Sequence, residues 1–195
     1  MEPFRLDGPA SGPHNMEADL AMLESGGNAG RMYKWDGPWV SLGRFQQPSE
    51  ALVAGWDRWV SRPTGGSAVL HGHDVTVSLV SPAASRKPAE IYRKMLQPVL
   101  EALAQSGLPC RLAGDEAALV RSQDCFASTD RFDVIDYSGV KVCGCALRMT
   151  RSAALLQMSI PYREPLVDPA SAIAGGLRHP VRGWDVDRFR GLLCA

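Results

Sequence analysis

The sequence has no excess of either charge: 21 Lys+Arg balance 21 Asp+Glu across 195 residues. A nucleic-acid binder wants a clustered basic surplus to displace counterions, so that class is not expected. No apolar run approaches the ~18 residues that a membrane helix needs, so no membrane partner is expected either. The opening Met1-Glu2-Pro3-Phe4-Arg5-Leu6-Asp7 lacks the basic stretch and apolar run of a signal peptide. Cysteine is sparse and odd in number, at five. That does not look like a disulfide scaffold, and it points to reduced thiols and a cytoplasmic location. What the chain does have is 45% apolar and 22% charged residues, the composition of an ordinary domain with a full core.

Residues 1–14 are rich in Pro and Gly and carry no period, which predicts a loose N-terminal arm. Residues 15–195 then read as a single domain with no separate C-terminal accessory domain. Asn15 is placed to cap a helix through about Ser25, ended by Gly26-Gly27. Met32 to Trp35 and Trp39 to Leu42 read as short strands parted by Asp36-Gly37-Pro38. Ser67 to Leu70 and Val75 to Val80 read as two more, and in the second Val75, Val77 and Leu79 alternate with Thr76 and Ser78, the period of a half-buried strand. Pro88 opens the clearest helix, with Ile91, Met95, Val99 and Leu103 on one face, Gly107 at its end and Pro98 as an expected kink or break. Strand signals return at Phe132–Asp136, Val140–Arg148 and Ala153–Ile160, followed by two short helices near Ala170–Gly175 and Asp185–Leu192. Strands on both sides of a central helix, with short loops, predict an α+β domain whose sheet is largely antiparallel.

Three segments carry candidate chemistry. In Arg62-Pro63-Thr64-Gly65-Gly66-Ser67, two glycines let backbone N–H groups approach an anion or carbonyl, and Arg62 offers a planar donor. A tight turn entering a strand explains the same residues. In Lys141-Val142-Cys143-Gly144-Cys145-Ala146, a lysine beside small residues can present its ammonium to a carbonyl or phosphate, although strand lysines are usually solvated. Cys143 and Cys145 have no second cysteine pair at zinc spacing, and no metal is expected. Cys125 lies in a polar stretch before Phe126, where a free thiol would be only a few per cent thiolate near neutral pH. A nearby ammonium would lower its pKa by about one unit or more, gaining only about threefold in attack rate per unit. An isolated loop cysteine is more often inert, and nothing in the sequence alone brings Cys125 to Lys141.

Taken together and in order, these segments resemble the lipoate–protein ligase and octanoyltransferase family, which shares its fold with biotin–protein ligases. Asn15-Met16-Glu17-Ala18-Asp19 resembles that family's first helix, and Tyr33 through Gln46 its first hairpin. The Arg62–Asp74 stretch resembles its Arg-Arg-x-Ser/Thr-Gly-Gly-Gly acyl-binding loop, Lys141 to Ala146 its Lys-x-x-Gly-Ser-Ala segment, and Leu156 to Ile160 the strand after it. The chain departs at Ser61 and Ser67, where Arg and Gly are usual, and at Leu147 and Met158, where Gln and Gly are common. Those departures bear on nucleotide contacts more than on an acyl pocket.

The resemblance implies the fold of a biotin/lipoyl protein ligase catalytic domain and a set of roles. Cys125-Phe126 matches the cysteine of the octanoyltransferases that resemble ligases, and the short stretch after the matching region also leans that way. Cys125 and Lys141 are then the catalytic residues. Arg62, Thr64, Gly65, Gly66, Ser67, Ala68, Val69, His71, Gly144, Cys145 and Ala146 are the acyl- or nucleotide-binding ones. The implied donor is octanoyl- or lipoyl-acyl carrier protein, with no tightly bound cofactor. The implied acceptor is a lysine of a lipoyl domain or of glycine cleavage H protein. Two other readings remain open: a ligase using ATP and lipoate through lipoyl-AMP, and a non-catalytic acyl-binding relative.

Overall fold

In a computed structural model, residues 4–83, 85, 87–118 and 120–194 are described. The centre is a seven-stranded sheet. Its strands are β1 (Arg5–Ala10), β2 (Ala29–Trp35), β6 (Asp74–Pro82), β10 (Ala153–Pro161), β9 (Lys141–Met149), β8 (Val134–Asp136) and β7 (Cys110–Leu112), in that spatial order. A small second sheet runs β4 (Trp59–Ser61), β3 (Val40–Leu42), β5 (Val69–Leu70). Among the described strands only β1 with β2 and β3 with β4 pair in parallel, so the expected α+β fold with a largely antiparallel sheet is what forms. Among the described residues no helix is long and apolar enough to cross a membrane.

The two faces of the large sheet differ in chemistry. On one, Val75 and Val77 of β6 and Ala154, Leu156, Met158 and Ile160 of β10 pack against Ile91, Met95, Val99 and Leu103 of helix α3 (Pro88–Gln105). That helix runs unbroken through the exposed Pro98, so the expected split does not occur. The opposite face meets helix α1 (Gly12–Ser25), with Val80, Ala153 and Leu155 against Met22 and Leu23. Next to this patch the same face is polar. Gln157 pairs with Ser78, and Ser159 with Thr76, across β10 and β6. The alternation in β6 therefore does not mark a solvated face, because Thr76 and Ser78 are buried and hydrogen-bonded.

Burying polar groups requires partners, and Asp19 of α1 supplies them. It accepts from Arg31 Nη1 at 2.8 Å, Tyr33 Oη at 2.8 Å, Ser78 Oγ at 2.7 Å and Gln157 Nε2 at 2.5 Å. Arg31 is fully buried and also donates to Asp7 of β1 at 2.7 Å. That ion pair and the parallel pairing with β2 turn residues 5–10, expected to be a loose arm, into an edge strand. Asn15 is likewise not a cap. It sits inside α1, which starts at Gly12, and its Oδ1 accepts from Arg31.

Two more expectations are corrected by topology. The segments around Trp35 and Trp39 do not form a hairpin, because β2 joins the large sheet and β3 the small one. Residues 170–175 hold only a 3₁₀ turn, Pro169–Ser171, whereas the last helix, α4 (Val186–Leu193), forms as expected. Replacing Asp19 by Ala would leave Arg31, Tyr33, Ser78 and Gln157 short of an acceptor. The expected loss is about 3–5 kcal/mol of unfolding free energy, read from urea denaturation. A loss below about 1 kcal/mol would show that this network does not hold the polar face together.

Candidate active site

The β8–β9 hairpin delivers the lysine. Lys141 opens β9 opposite Ile135, and a register shift separates that pair from Val134 and Cys143. Its side chain points inward and is only 5% exposed. The ammonium lies 2.6 Å from Asp133 Oδ2, donates to the carbonyls of Cys125 at 2.7 Å and Ser128 at 2.9 Å, and stands 3.3 Å from Cys125 Sγ. Its three N–H donors are thus all engaged in the free protein. Asp133 is itself anchored, its carboxylate accepting from the backbone N–H of Cys145 at 2.9 Å and of Asp130 at 2.7 Å.

Cys125 arrives by a different route. Ala68 N–H donates to Gln123 O at 2.7 Å and Cys125 N–H to Ala68 O at 2.8 Å, which ties the cysteine segment to the glycine loop. Asp124 then caps a 3₁₀ turn, Cys125–Ala127, by accepting from Phe126 N–H at 3.0 Å. Phe126 lies beneath Lys141, its centroid 5.2 Å from Nζ, and stacks on His179 at 4.3 Å. A Cβ at Gly144 would stand 3.1 Å from Cys125 Sγ, so the missing side chain makes room for the thiol.

The glycine loop is held by its own arginine. Arg62 is buried and donates to the carbonyls of Ser41 at 2.8 Å, Gly65 at 2.6 Å and Ser67 at 2.7 Å. In this structure the guanidinium staples the loop. Gly66 adopts a φ of +87°, which favours glycine. A Cβ on Gly43 would collide with the Gly66 carbonyl, so β3 can approach the loop this closely only without a side chain there. The N–H groups of Gly66 and Ser67 find no acceptor among the described residues.

Two cavities meet at this point. A narrow, mainly apolar one runs beneath the loop between Met16, Tyr33, Trp35, Val69 and Met158. Arg62, His71 and Gly144 also line it. A larger one opens past Gly65, Ser67, Asp133 and Lys141. Gly66, Cys125, Cys145 and Ala146 line both. Thr64 and Ala68 line neither. Thr64 donates to Gln157 at 2.6 Å, and the Ala68 backbone ties down the cysteine segment. His71 is a fixed piece of wall, stacked on Trp35 at 3.9 Å, with its ring nitrogens each 2.8 Å from Asp74 and Ser41.

Asp133 was not among the residues singled out from sequence. The turn Tyr137-Ser138-Gly139 marks the hairpin, but the register shift between Val134 and Ile135, which the sequence does not announce, is part of what brings Asp133 to the Cys145 N–H.

Electrostatics add a second effect to the expected pull of an ammonium on Cys125. Burial pushes the Cys125 thiol above the usual cysteine value and outweighs the downward pull of Lys141, while Asp133 adds to the rise. Burial alone would lower Lys141, but Cys125 and Asp133 together hold the ammonium above the ordinary lysine value. Cys145 is raised by its contact with Cys143, with burial adding to it, so it is a poor competitor as nucleophile.

A thiol raised in this way stays protonated at neutral pH. Alkylation of Cys125 by iodoacetamide, followed on its own peptide, is expected to be slower than that of a free cysteine near pH 7 and to keep rising beyond pH 9. Asp133→Asn removes a charge that raises the thiol, so the alkylation profile should move to lower pH while the melting temperature falls. A profile that levels off below pH 8 in the unsubstituted protein would show that Lys141 outweighs burial.

Comparison with known proteins identifies the family. A family model described as the lipoyl protein ligase A/B catalytic domain matches residues 15–175. Octanoyltransferase LipM of Kyrpidia tusciae is 34% identical over 182 residues, covering 82% of this chain and 66% of that protein. LipM of Symbiobacterium thermophilum is 30% identical over 168 residues, covering 77% and 61%. The chain thus spans just under two thirds of the length of such curated relatives. Among solved structures, a lipoate-protein ligase A bound with ATP superposes with a TM-score of 0.77 at 20% identity, over 98% of this chain and 81% of the other. A bi-partite lipoate protein ligase from Thermoplasma acidophilum gives 0.72 at 20% identity, over 98% and 80%. A biotin protein ligase from Aquifex aeolicus gives 0.52 at 10%, over 100% and 68%, so the shared fold extends to that group. With most of its length matched by the family model and a relative above 30% identity, the chain belongs to the lipoyl protein ligase A/B catalytic domain family.

Proposed function

We propose that the protein is an acyltransferase that moves an octanoyl or lipoyl group from a carrier-protein thioester to a lysine of a lipoyl domain or glycine cleavage H protein. The observation that carries this reading is the position of Cys125. Its sulfur stands 3.3 Å from the Lys141 ammonium, at the junction of an apolar cavity and an open one. The apolar cavity suits an acyl tail, and the open one gives donor and acceptor access to the same sulfur. The octanoyltransferase relatives support this choice over an ATP-dependent ligase, which has no task for Cys125.

The chemistry then runs in two halves. The Cys125 sulfur attacks the thioester carbon, forming a C–S bond and an oxyanion, and the thiol proton passes to the sulfur that leaves with the donor. The oxyanion takes a donor from Lys141, which releases a backbone carbonyl to provide it, together with the free N–H groups of Gly66 and Ser67. Collapse breaks the donor's C–S bond, and its sulfur leaves as a thiol. In the second half the neutral amine of the acceptor lysine attacks the Cys125 thioester. The C–S bond to Cys125 breaks as the amide forms, and the proton lost by the nitrogen ends on the released Cys125 sulfur. Because the thiol starts protonated, its activation depends on positioning beside a permanent charge rather than on a large resident thiolate fraction.

Mass spectrometry after mixing with octanoyl-acyl carrier protein tests the reading. It predicts an octanoyl adduct on the Cys125 peptide. Adenylate formed from ATP and lipoate without an adduct would indicate the ligase, and neither product a binding relative. Cys125→Ser should lower transfer more than about a hundredfold with the fold intact, and retention above that level would rule out covalent catalysis here. Lys141→Met should lower acylation by roughly a hundred- to a thousandfold. Since it also strands the buried Asp133 carboxylate, Asp133→Asn combined with Lys141→Met should recover melting temperature but not rate.

A further inference from the structure

Residues 176–185, which lead into α4, form neither helix nor strand, yet they are fastened near both ends. Leu177 N–H donates to Asp124 Oδ2 at 3.2 Å, Arg182 Nε lies 2.6 Å from Asp136 Oδ2, and Trp184 Nε1 donates to the Pro161 carbonyl at 3.0 Å. Asp124 is the clip at the near end. Its other oxygen accepts from Phe126 N–H, so one buried carboxylate joins this strap to the turn that carries Cys125. Between the fastenings, His179 stacks on Phe126 with centroids 4.3 Å and planes 10° apart, and Phe126 in turn lies under the Lys141 ammonium. Beside His179 stands His73, 1% exposed, with the two ring centroids 6.3 Å apart. The ring nitrogens of both histidines are shut off from solvent and make no hydrogen bond of good geometry among the described residues. Burying them unpaired is costly. A phenylalanine would stack on Phe126 without that cost, and what an imidazole adds is a site for a proton.

We infer that His179 is a positioning residue, whose stack on Phe126 keeps the Cys125 turn against Lys141 only while His179 and His73 are neutral, so that mild acid loosens the strap and slows acylation. The effect on acylation rests on the acyl-transfer reading above, whereas the fastening of the turn does not. Groups of both signs face the pair. Asp124, Glu164 and the Leu177 carbonyl favour a proton on His179, and Lys141 opposes it. Asp74 favours one on His73, and His71, His179 and Arg163 oppose it. Burial outweighs the favourable contacts at both, leaving His179 below the ordinary histidine value and His73 at about 4. Opening the strap returns the rings to water, where each takes a proton below about pH 6.5. The opened form therefore gains as pH falls from about 6.5 towards the values held in the closed form.

The test combines amide hydrogen exchange with single-turnover acylation by octanoyl-acyl carrier protein, on the unsubstituted protein, His179→Ala and His179→Phe. Between pH 7.5 and 5.5, protection of residues 176–185 in the unsubstituted protein, corrected for intrinsic exchange, should fall by more than about tenfold, as one to two protons are gained on opening. In His179→Phe only His73 remains to titrate, so the fall should shrink to about tenfold or less. At pH 7.5 His179→Ala should slow acylation at least about tenfold while the donor concentration giving half the maximal rate stays within about twofold, because a displaced nucleophile costs rate rather than binding. His179→Phe should recover most of that rate. Protection that does not change with pH, or that falls equally in His179→Phe, overturns the dependence on charge. Acylation as fast in His179→Ala as in the unsubstituted protein overturns the positioning role. So does a loss as large in His179→Phe as in His179→Ala, which would place the imidazole in the reaction itself. If the unsubstituted protein is not acylated at all, the acyl-transfer reading fails, and exchange at Cys125 and Phe126 decides the fastening alone. Loss of their protection in His179→Ala with recovery in His179→Phe upholds it, and unchanged protection overturns it.

Discussion

The ion pair between Lys141 and Asp133 fixes the geometry of the rest of the site. Both side chains are almost wholly buried, and Cys125 together with the 2.6 Å contact to Asp133 outweighs the downward pull of burial on the ammonium. Asp133 also holds the backbone of Cys145, so charge placement and the course of β9 are set by one carboxylate. The ammonium in turn grips the carbonyls of Cys125 and Ser128, which stops the cysteine segment from drifting off the sheet. Charge, nucleophile and small-residue strand are thus one mechanical unit.

The second constraint is the polar face of the central strands. A sheet covered on both sides normally carries apolar residues on both, yet here Thr76, Ser78, Gln157 and Ser159 face α1 and the small sheet. They are tolerated because Asp19 and Asp74 accept their hydrogen bonds: Asp19 also neutralises Arg31, and Asp74 also accepts from Ser159 at 2.6 Å. A row of satisfied polar groups cannot collapse as a hydrophobic layer would. Beside it the apolar cavity stays open, and Thr64 ties the glycine loop to Gln157 across it. Burying so much polarity costs stability that apolar packing on the α3 face must offset.

Much of this was legible in the chain, for reasons that can be named. The helix at Pro88 and the strands at 140–160 follow from strong periodicity, and the glycine loop and lysine segment from residue types that do special work. The N-terminal strand was not legible, because its order comes from Arg31 and from pairing with β2, both distant in sequence. The same holds for the partners of Arg62: a guanidinium reads as a ligand donor until three backbone carbonyls are seen to occupy it. The Cys125–Lys141 contact depends on the bridge between Ala68 and Asp124, which no local pattern announces. The downward pull of Lys141 on Cys125 was legible, but the burial that outweighs it was not. Proximity to a charge can be guessed from motifs, whereas the desolvation that outweighs it belongs to the packed state.

The central claim is that acyl groups pass through the sulfur of Cys125 on their way to the acceptor. Rapid-quench kinetics with a labelled octanoyl thioester and an acceptor lipoyl domain address it directly. Label should appear on the Cys125 peptide before any amide, and its decay there should match, in rate and amount, the rise of octanoyl-lysine on the acceptor. Amide that forms ahead of the Cys125 adduct, or faster than the adduct decays, would contradict a covalent route through this residue.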